Sequence, residues 1–356
     1  MTEQKIKVVL LFGGRSPEHE VSLTSATSIY KNLDKGKFAV SSIYINKEGK
    51  WRAVESPLLS SSELKHGKFF SFLPWGKSSL TQTIDGDIYF PVLHGPYGED
   101  GTIQGLFELA DVAYVGATVT ASAIAMDKAV TKTILKAKKI PVVKYMIVFE
   151  QDWRRKQKFV FNKIRKELPL PFFVKPANLG SSIGITKVKD YSKIESALET
   201  AFRHDKKILI EEGIAGRDLE CSVLGNDNPR ASLPGEIIPY REFYDYRDKY
   251  VEGKTRFAIP ATLPSCITEE IQKISIQAYK IIGCSGMARV DFFYQEKTKD
   301  LFLNEINTIP GFTKISMYPK LWEVSGIPFP KLLEKLIELG LERHNKKKKN
   351  ITEFIK

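Results

Sequence analysis

Apolar runs closed by glycine alternate with segments of helical spacing along the first third of the chain. KIKVVLLFGG (5–14) is a buried-strand run that ends in two glycines. EHEVSLTSATSIYKNL (18–33) follows, with Val21, Ala26 and Ile29 recurring on one side, and predicts a helix. DIYFPVLHG (87–95) is a second strand ending in glycine, and GTIQGLFELA (101–110) is a short helix. Strand, glycine turn and helix in this order predict an α/β protein whose N-terminal part is an open parallel sheet with a ligand crevice at its strand ends.

The pattern then changes. MDKAVTKTILKAKKI (126–140) reads as a helix stopped by Pro141, and PVVKYMIVF as a strand. PFFVKP (171–176) is a strand, YSKIESALETAF (191–202) a helix and KILIEE (207–212) a strand, with a Gly-rich connection, NLGSSIG (178–184), between them. Beyond 216 come DLECSVLG, a Tyr-rich stretch at 240–250, a helix over 268–282, the strands MARVDFFY and LFLNEIN, and a closing helix at 330–340. No internal repeat is visible. Three domains are expected, over 1–124, 125–215 and 216–356.

Composition narrows the class. With 356 residues and 42% hydrophobic content the chain is too apolar for disorder, and it holds no membrane-length apolar run. The N-terminus shows no export signal, and Cys221, Cys266 and Cys284 have no metal-ligand spacing, so reduced thiols in a cytoplasmic protein are expected. The net charge of +12 raises the question of nucleic acid. Its excess lies in two windows, a local +9 over 131–168 and a local +4 over 341–356. Neither carries the basic stripe with aromatic or groove-entering elements that nucleic acid requires, so no nucleic-acid and no membrane partner is expected. The window 131–168 reads either as a charged outer face or as part of a field drawing in a small polyanion. The run from Lys346 to Lys349 reads as a solvated, frayed tail.

Three constellations carry chemistry. In MARVDFFYQEKTKDLFLNEIN, period-two alternation puts Glu305 and Asn307 on one face, and a hairpin would add Asp291. Three oxygen ligands, one of them neutral, suit Mg²⁺ held jointly with substrate phosphates, and a polar sheet face is the bland alternative. A carboxylate inside so apolar a strand also needs a partner. In FFVKPANLGSSIG, Lys175 ends a strand where the chain enters a Gly/Ser loop. Gly180 and Gly184 would let the backbone approach phosphate oxygens, and Ser181 and Ser182 add hydroxyls. Glu211 and Glu212 end the next strand, where carboxylates can accept from an adenine amine or ribose or simply be solvated. Near the N-terminus, Ser16 reads as a helix cap with Glu18 and Glu20 in the first turn, where a carboxylate could hold a substrate ammonium. His94 stands at a strand end before a glycine-rich turn.

Taken together, GGRSPEHEVSLTSA, FPVLHGPYGEDGTIQG, YVGATVTASAIAMDK, VKPANLGSSIG, ARVDFF and NEINTIPGFTKISMYPKLW resemble, in order, the motifs of D-alanine–D-alanine ligases, members of the ATP-grasp superfamily. The resemblance extends to about residue 340. It implies a three-domain ATP-grasp fold that binds ATP as co-substrate. It also implies two Mg²⁺ ions, for which Mn²⁺ can substitute, and an acyl-phosphate route to D-alanyl-D-alanine for peptidoglycan synthesis. A homodimer is the family's habit. By the same resemblance Lys128 and Lys175 contact phosphates, Glu211, Glu212 and Ile214 form the adenine edge, and Asp218 takes the ribose. Asp291, Glu305 and Asn307 match the metal ligands, while Arg289 and the Gly311 N–H match the oxyanion site. Glu20, with His94 nearby, matches the carboxylate for the first D-alanine, and Ser316 the hydroxyl for the second.

Residues 234–261 resemble the family's mobile loop over the site. There Tyr250 would bond Ser181, which reaches Glu20, while Lys249 with Ser182 would approach the phosphates. Three positions depart from the pattern: Gly213 stands for a bulky apolar residue, Asp218 for a glutamate, and Ser285 for a basic residue. Other readings are an ATP-grasp ligase of different substrates, an inactive homologue, or a nucleic-acid binder. Since ligases that make D-alanyl-D-lactate typically lack the matching tyrosine, Tyr250→Phe is expected to relax selection of an amine over a hydroxyl. The product ratio with D-lactate present measures it, and an unchanged ratio refutes the loop argument.

Overall fold

The computed structural model describes residues 4–70, 81–82, 85–240 and 255–349. The first sheet contains β1 (Ile6–Gly13), β2 (Phe38–Ile45), β3 (Trp51–Val54), β4 (Lys68–Phe70), β5 (Thr81–Gln82) and β6 (Ile88–Val92), in the order β5-β4-β3-β2-β1-β6. Helices α1 (His19–Asn32) and α2 (Ser61–Leu64) lie in its connections, and α3 (Thr102–Leu109) follows β6. β1 runs parallel to both β2 and β6, as the strand–helix alternation predicts. β3 returns antiparallel to β2, because residues 46–50 are too few for a crossover. The Asn46 side chain closes that turn by accepting the Glu48 and Lys50 amides.

β1 is buried on both faces. Val8, Leu10 and Phe12 pack with Ala26 and Ile29 of α1, whereas Val9 and Leu11 pack with Ile103 and Phe107 of α3. Sequence periodicity does not reveal that the first of these cores also takes in Leu332, Leu333, Leu336 and Ile337. They belong to the last helix, which returns across the molecule to cover the first sheet.

The second sheet is four-stranded and antiparallel, ordered β7-β10-β8-β9: β7 (Tyr145–Phe149), β8 (Phe172–Pro176), β9 (Thr186–Val188) and β10 (Lys207–Glu212). Its outer face is covered by α6 (Glu150–Glu167) and α7 (Ile194–Phe202), through residues such as Trp153, Ile164 and Leu198. Between the first two sheets in the chain come α4 (Val119–Met126) and α5 (Lys128–Ala137). Ala129 of α5 meets Leu209 and Ala177 on the inner face. The third sheet, ordered β14-β13-β11-β15-β16 with β12 on β11, is antiparallel. It comprises β11 (Arg217–Gly225), β12 (Arg230–Ala231), β13 (Gly235–Ile238), β14 (Arg256–Ala258), β15 (Gly286–Gln295) and β16 (Asp300–Asn307). Its core includes α8 (Ser265–Ile281) and, from earlier in the chain, Ala121, Ala125 and Leu135. Thus α5 lies between the second and third sheets. The chain closes with α9 (Met317–Val324) and α10 (Phe329–Lys347). Among the described residues no helix is long and apolar enough to cross a membrane.

One expectation about charge is corrected, and one left open is divided. α10 continues through Lys347, and Lys346 pairs with Asp227 and Glu342 at 2.7 and 2.6 Å while Lys347 reaches Glu108. The lysine run therefore begins as ordered helix over acidic partners, not as a frayed tail. The window 131–168 divides: α6 turns its basic residues outward, whereas Lys132 is wholly buried.

α10 is fixed to the first sheet by close approach. Arg343 donates to the carbonyls of Tyr114 and Gly116 and to Ser285 Oγ, and lies over the Tyr114 ring at 4.1 Å. Gly340 lets the helix come near: a Cβ there would stand 2.7 Å from both Tyr114 O and Ile88 Cδ1. Gly340→Ala is therefore expected to lower the melting temperature. The gain of ~1 kcal/mol in helix propensity is outweighed by overpacking of roughly 1–3 kcal/mol against a backbone carbonyl that cannot yield. A thermal melt showing an unchanged or raised midpoint would contradict this packing.

Candidate active site

In the first sheet β1 leads to β2 on one side while β6 lies on the other, so the ends of β1 and β6 bound a crevice where the strand order reverses. The chain leaves β1 through Gly13 and Gly14, both at positive φ, and the first must be glycine because a Cβ would stand 2.2 Å from Ile45 O. Glu18 then occupies the N-cap of α1, with Ser16 Oγ accepting its amide at 3.0 Å. The cap predicted at Ser16 is thus displaced by two residues. The Glu18 carboxylate is buried and accepts the Ser181 hydroxyl. It is packed closely enough that a Cβ on Gly95 or Gly180 would come within 2.9 or 3.1 Å of Oε2.

Glu20, assigned from sequence to the substrate ammonium, is not there. Two residues further along a helix is about 200° around the axis, and Glu20 faces solvent, 67% exposed, paired with Lys47 at 3.0 Å. The acidic residue at the crevice is Glu18. Helical phase from the first turn was the signal that distinguishes them.

His94 follows β6 and is buried, its Nδ1 3.0 Å from Ile309 O and its Nε2 3.1 Å from Ser25 Oγ. Burial lowers its pKa, against the raising influence of Glu18. Glu99, which the sequence reading passed over, accepts the Gly95 amide at 2.7 Å and the Ile309 amide at 3.2 Å. Burial, then the charge of Glu18, pushes its carboxyl up to about 8.

The third sheet supplies the opposite wall. β15 and β16 form the expected hairpin, pairing Asp291 with Glu305 and Arg289 with Asn307. A register shift lies between Asp291 and Phe292, so that Asn304 is an extra residue in β16. Leu301 and Leu303 point into the core, and strict alternation would send residue 305 after them. The bulge turns Glu305 out, beside Asn307. This removes the difficulty of a carboxylate in an apolar strand.

Arg289 is held by two carboxylates. Its Nε and Nη2 donate to Asp291 at 2.8 and 2.7 Å, and its Nε is 3.0 Å from Glu220 on β11. Glu220 was not foreseen. Asn307 Nδ2 donates to Asp291 Oδ2 at 3.0 Å. Ser316, at the N-cap of α9, does not cap it. Its Oγ instead accepts the Thr313 amide at 2.9 Å, and a Cβ at Gly311 would stand 2.6 Å from it. A cavity of about 110 Å³ is lined by Glu18, His94, Glu99 and Ser181 on one side and by Glu220, Arg289, Glu305, Asn307, Gly311 and Ser316 on the other. Glu18, Glu220 and Glu305 against one arginine in that lining favour cationic groups.

The other predicted groups lie on and around the second sheet. Lys128 begins α5, donates to Leu179 O at 2.6 Å and stands 3.7 Å from Glu305. Lys175 on β8 and Glu211 on β10 share the inner face and are ion-paired, and Lys132 of α5 contacts the same carboxylate at 2.8 Å. Burial alone would raise the Glu211 carboxyl, but the two lysines outweigh it and hold it below its usual range. Its side chain is thus ion-paired with both lysines. Glu212, Ile214 and Asp218 remain partly exposed at the adjoining strand ends. In the Gly/Ser loop the left-handed residues are Ser181 and Ser182, with φ of +51° and +59°, together with Gly184, while Gly180 is not among them. Lys249 and Tyr250 lie outside the described residues, and the segment bearing them joins the paired strands β13 and β14.

Among the described residues no group of three His, Cys, Asp or Glu is placed to hold a metal. The oxygen donors Asp291, Glu305 and Asn307 nonetheless share one sheet face and suit a hard divalent cation, the Asn307 amide offering its oxygen if turned over.

An antiparallel sheet carrying buried lysines, facing a second that carries carboxylates beside an acidic cavity, defines an ATP-grasp enzyme. Residues 7–117 match the family described as D-ala D-ala ligase N-terminus, and residues 134–338 match D-ala D-ala ligase C-terminus. The chain is 48% identical over 350 residues to the D-alanine–D-alanine ligase of Solibacter usitatus, covering 98% of this chain and 99% of that one. It is 47% identical over 355 residues to that of Caldicellulosiruptor bescii, covering 97% of each. The solved D-alanine-D-alanine ligase of Coxiella burnetii superposes with a TM-score of 0.85 at 39% identity, over 97% of this chain and 96% of that one. The VanG D-Ala:D-Ser ligase of Enterococcus faecalis does so with 0.83 at 35% identity, over 95% of this chain and 100% of that one. This chain belongs to the D-alanine–D-alanine ligase family.

The buried cluster yields a stability test. Glu211→Gln leaves two ammonium groups without their shared counter-charge, whereas Lys132→Met leaves one intact pair. Loss of a buried partner costs about 3–5 kcal/mol, so the glutamine variant should be the less stable of the two by denaturant unfolding. The reverse order would show that Glu211 is not the centre of the cluster.

Proposed function

We propose that this enzyme joins two D-alanine molecules at the expense of ATP, giving D-alanyl-D-alanine for peptidoglycan, ADP and phosphate. The observation that carries the reading is the convergence of Glu18–Ser181, Arg289, Gly311 and Ser316 on one acidic cavity.

A carboxylate is a poor acylating agent. Its oxygen attacks the terminal phosphorus of ATP, ADP leaves, and the carboxyl carbon becomes an acyl phosphate. The amine of a second amino acid, having lost a proton, attacks that carbon, and phosphate leaves. In this scheme Glu18, oriented by the Ser181 hydroxyl, receives the ammonium of the first D-alanine. Lys128 and Lys175 neutralise phosphate oxygens, and Lys249 and Ser182 join them from the two flanking loops. Arg289 and the Gly311 N–H face the oxyanion that forms at the carboxyl carbon, where fixed donors lower the barrier most. Ser316 binds the carboxylate of the second amino acid, its hydroxyl being free of capping duty.

Asp291, Glu305 and Asn307 would hold Mg²⁺ or Mn²⁺, which when bound neutralises phosphate charge. Tyr250, carried on the β13–β14 hairpin, would close over Ser181 and exclude the water that hydrolyses an acyl phosphate. Glu212, Ile214 and Asp218 would border the nucleoside. His94 stands near the first substrate through its neighbours. The enzyme would work in the cytoplasm, as a homodimer.

Incubation with ATP, Mg²⁺ and D-alanine, followed by mass analysis, should give the dipeptide, with D-serine and D-lactate as competing acceptors. A product with either of these in preference to D-alanine would overturn the substrate assignment. Glu18→Gln should lower kcat/KM for D-alanine by about 100-fold through loss of a charge-assisted bond, whereas Glu20→Gln should leave it within about twofold. Equal losses would restore the assignment to Glu20.

A further inference from the structure

The loop Ile309–Pro310–Gly311–Phe312 leaves β16 just after Asn307, yet what fixes it comes largely from the other side of the molecule. Glu99 accepts the Ile309 amide at 3.2 Å, and His94 Nδ1 lies 3.0 Å from the Ile309 carbonyl. Ser25 Oγ accepts the Phe312 amide at 3.2 Å and lies 3.1 Å from His94 Nε2. Donors and acceptors then assign themselves. A carbonyl can only accept, so Nδ1 carries the hydrogen. Nε2 of the neutral ring accepts from the Ser25 hydroxyl, which leaves the Ser25 oxygen to receive the Phe312 amide. Burial of the ring favours that neutral form. Pro310 has no amide hydrogen, and the Gly311 N–H is bracketed by peptides that the first sheet's elements grip on both sides.

Ser25 is seven residues beyond Glu18 on α1, two helical turns, and so on the same face. We propose that Ser25 is a positioning residue for the reaction. One rigid helix holds the substrate ammonium through Glu18 at its start and sets the Gly311 oxyanion donor through Ser25 and His94 two turns later. Glu99 completes the grip. The inference rests on the ligase reading above, and deepens it: alignment between the two sites is built into α1 and does not depend on the third sheet alone. A misplacement of about 1 Å at such a donor lowers a rate by up to ~100-fold.

The test begins with wild-type enzyme, whose failure to form the dipeptide would sink the ligase reading and not this one. Ser25→Ala should lower kcat about tenfold, with KM for ATP and D-alanine held within about twofold. Affinity for a phosphinate dipeptide that mimics the tetrahedral adduct should fall by the same factor as kcat, while ATP affinity does not. Combined with Glu99→Gln, the losses should be less than multiplicative, since both act on one loop. A wild-type kcat in Ser25→Ala, a change confined to KM, or multiplicative losses would each overturn the proposal. Should the alanine variant not fold, Glu99→Gln alone is read by the same split between kcat and KM.

Discussion

The contact on which the site depends is the one between Glu18 and Ser181. It joins the crevice of the first sheet to the Gly/Ser loop of the second, and it leaves a buried carboxylate whose partner among the described residues is a neutral hydroxyl. No described lysine or arginine pairs with it. Burying such a charge is unfavourable unless something supplies the opposite sign, and in the proposed reaction a substrate ammonium would supply it. The same contact ties down the loop that must approach phosphate, so substrate order near Glu18 and loop order near Ser181 are one property.

Charge is divided between the two halves of the site. The cavity between the first and third sheets is acidic, with Glu18, Glu220 and Glu305 around Arg289. The second sheet's inner face is cationic: Lys132 and Lys175 share one carboxylate, and Lys128 stands 3.7 Å from Glu305. A divalent cation beside Glu305 would relieve carboxylate crowding on one side, and a nucleotide's phosphates would relieve lysine crowding on the other. Each half is therefore better neutralised with its ligand than without it. This also explains why a net charge of +12 was a poor guide: what matters is where Lys132 points, not how many lysines α6 turns to water.

Much of the fold was legible because the strands are extreme in pattern. KILIEE coincides with β10, β1, β6 and β8 fall within the runs read from sequence, and β15 and β16 extend beyond theirs by a residue at one or both ends. The site was legible by residue type and order, but not by direction. Glu18 and Glu20 are equivalent in composition and differ by helical phase. Glu305 reaches the cavity face because of a bulge at Asn304 that alternation does not foretell. Lys132 looks like any lysine in a basic helix until the inner face of β8 and β10 surrounds it. Strands β2 to β5 and helix α6 went unread: β2 although six of its eight residues are apolar, and α6 because its apolar positions are sparse. The return of α10 to the first sheet is a contact of high sequence separation that no local pattern carries. Residues 241–254, with Lys249 and Tyr250, lie outside the described residues, and their assigned roles rest on the resemblance alone.

Three separate sheets must agree on the position of one carbonyl carbon, and two helices impose that agreement. α10 clasps the first sheet from the C-terminal side, brought close by Gly340 and held by Arg343 on the Tyr114 and Gly116 carbonyls. α1 reaches the other way, through Ser25 to Phe312, whose ring packs edge-on against Phe90 at 6.0 Å and Tyr318 at 5.8 Å. Each link crosses between chain segments more than two hundred residues apart, and each uses a backbone carbonyl or amide as its target, so the geometry transmitted is that of main chain and not of mobile side chains. Among the described residues the second sheet's Gly/Ser loop meets the start of α1 through the Ser181 hydroxyl on Glu18, a contact between a loop and a helix end.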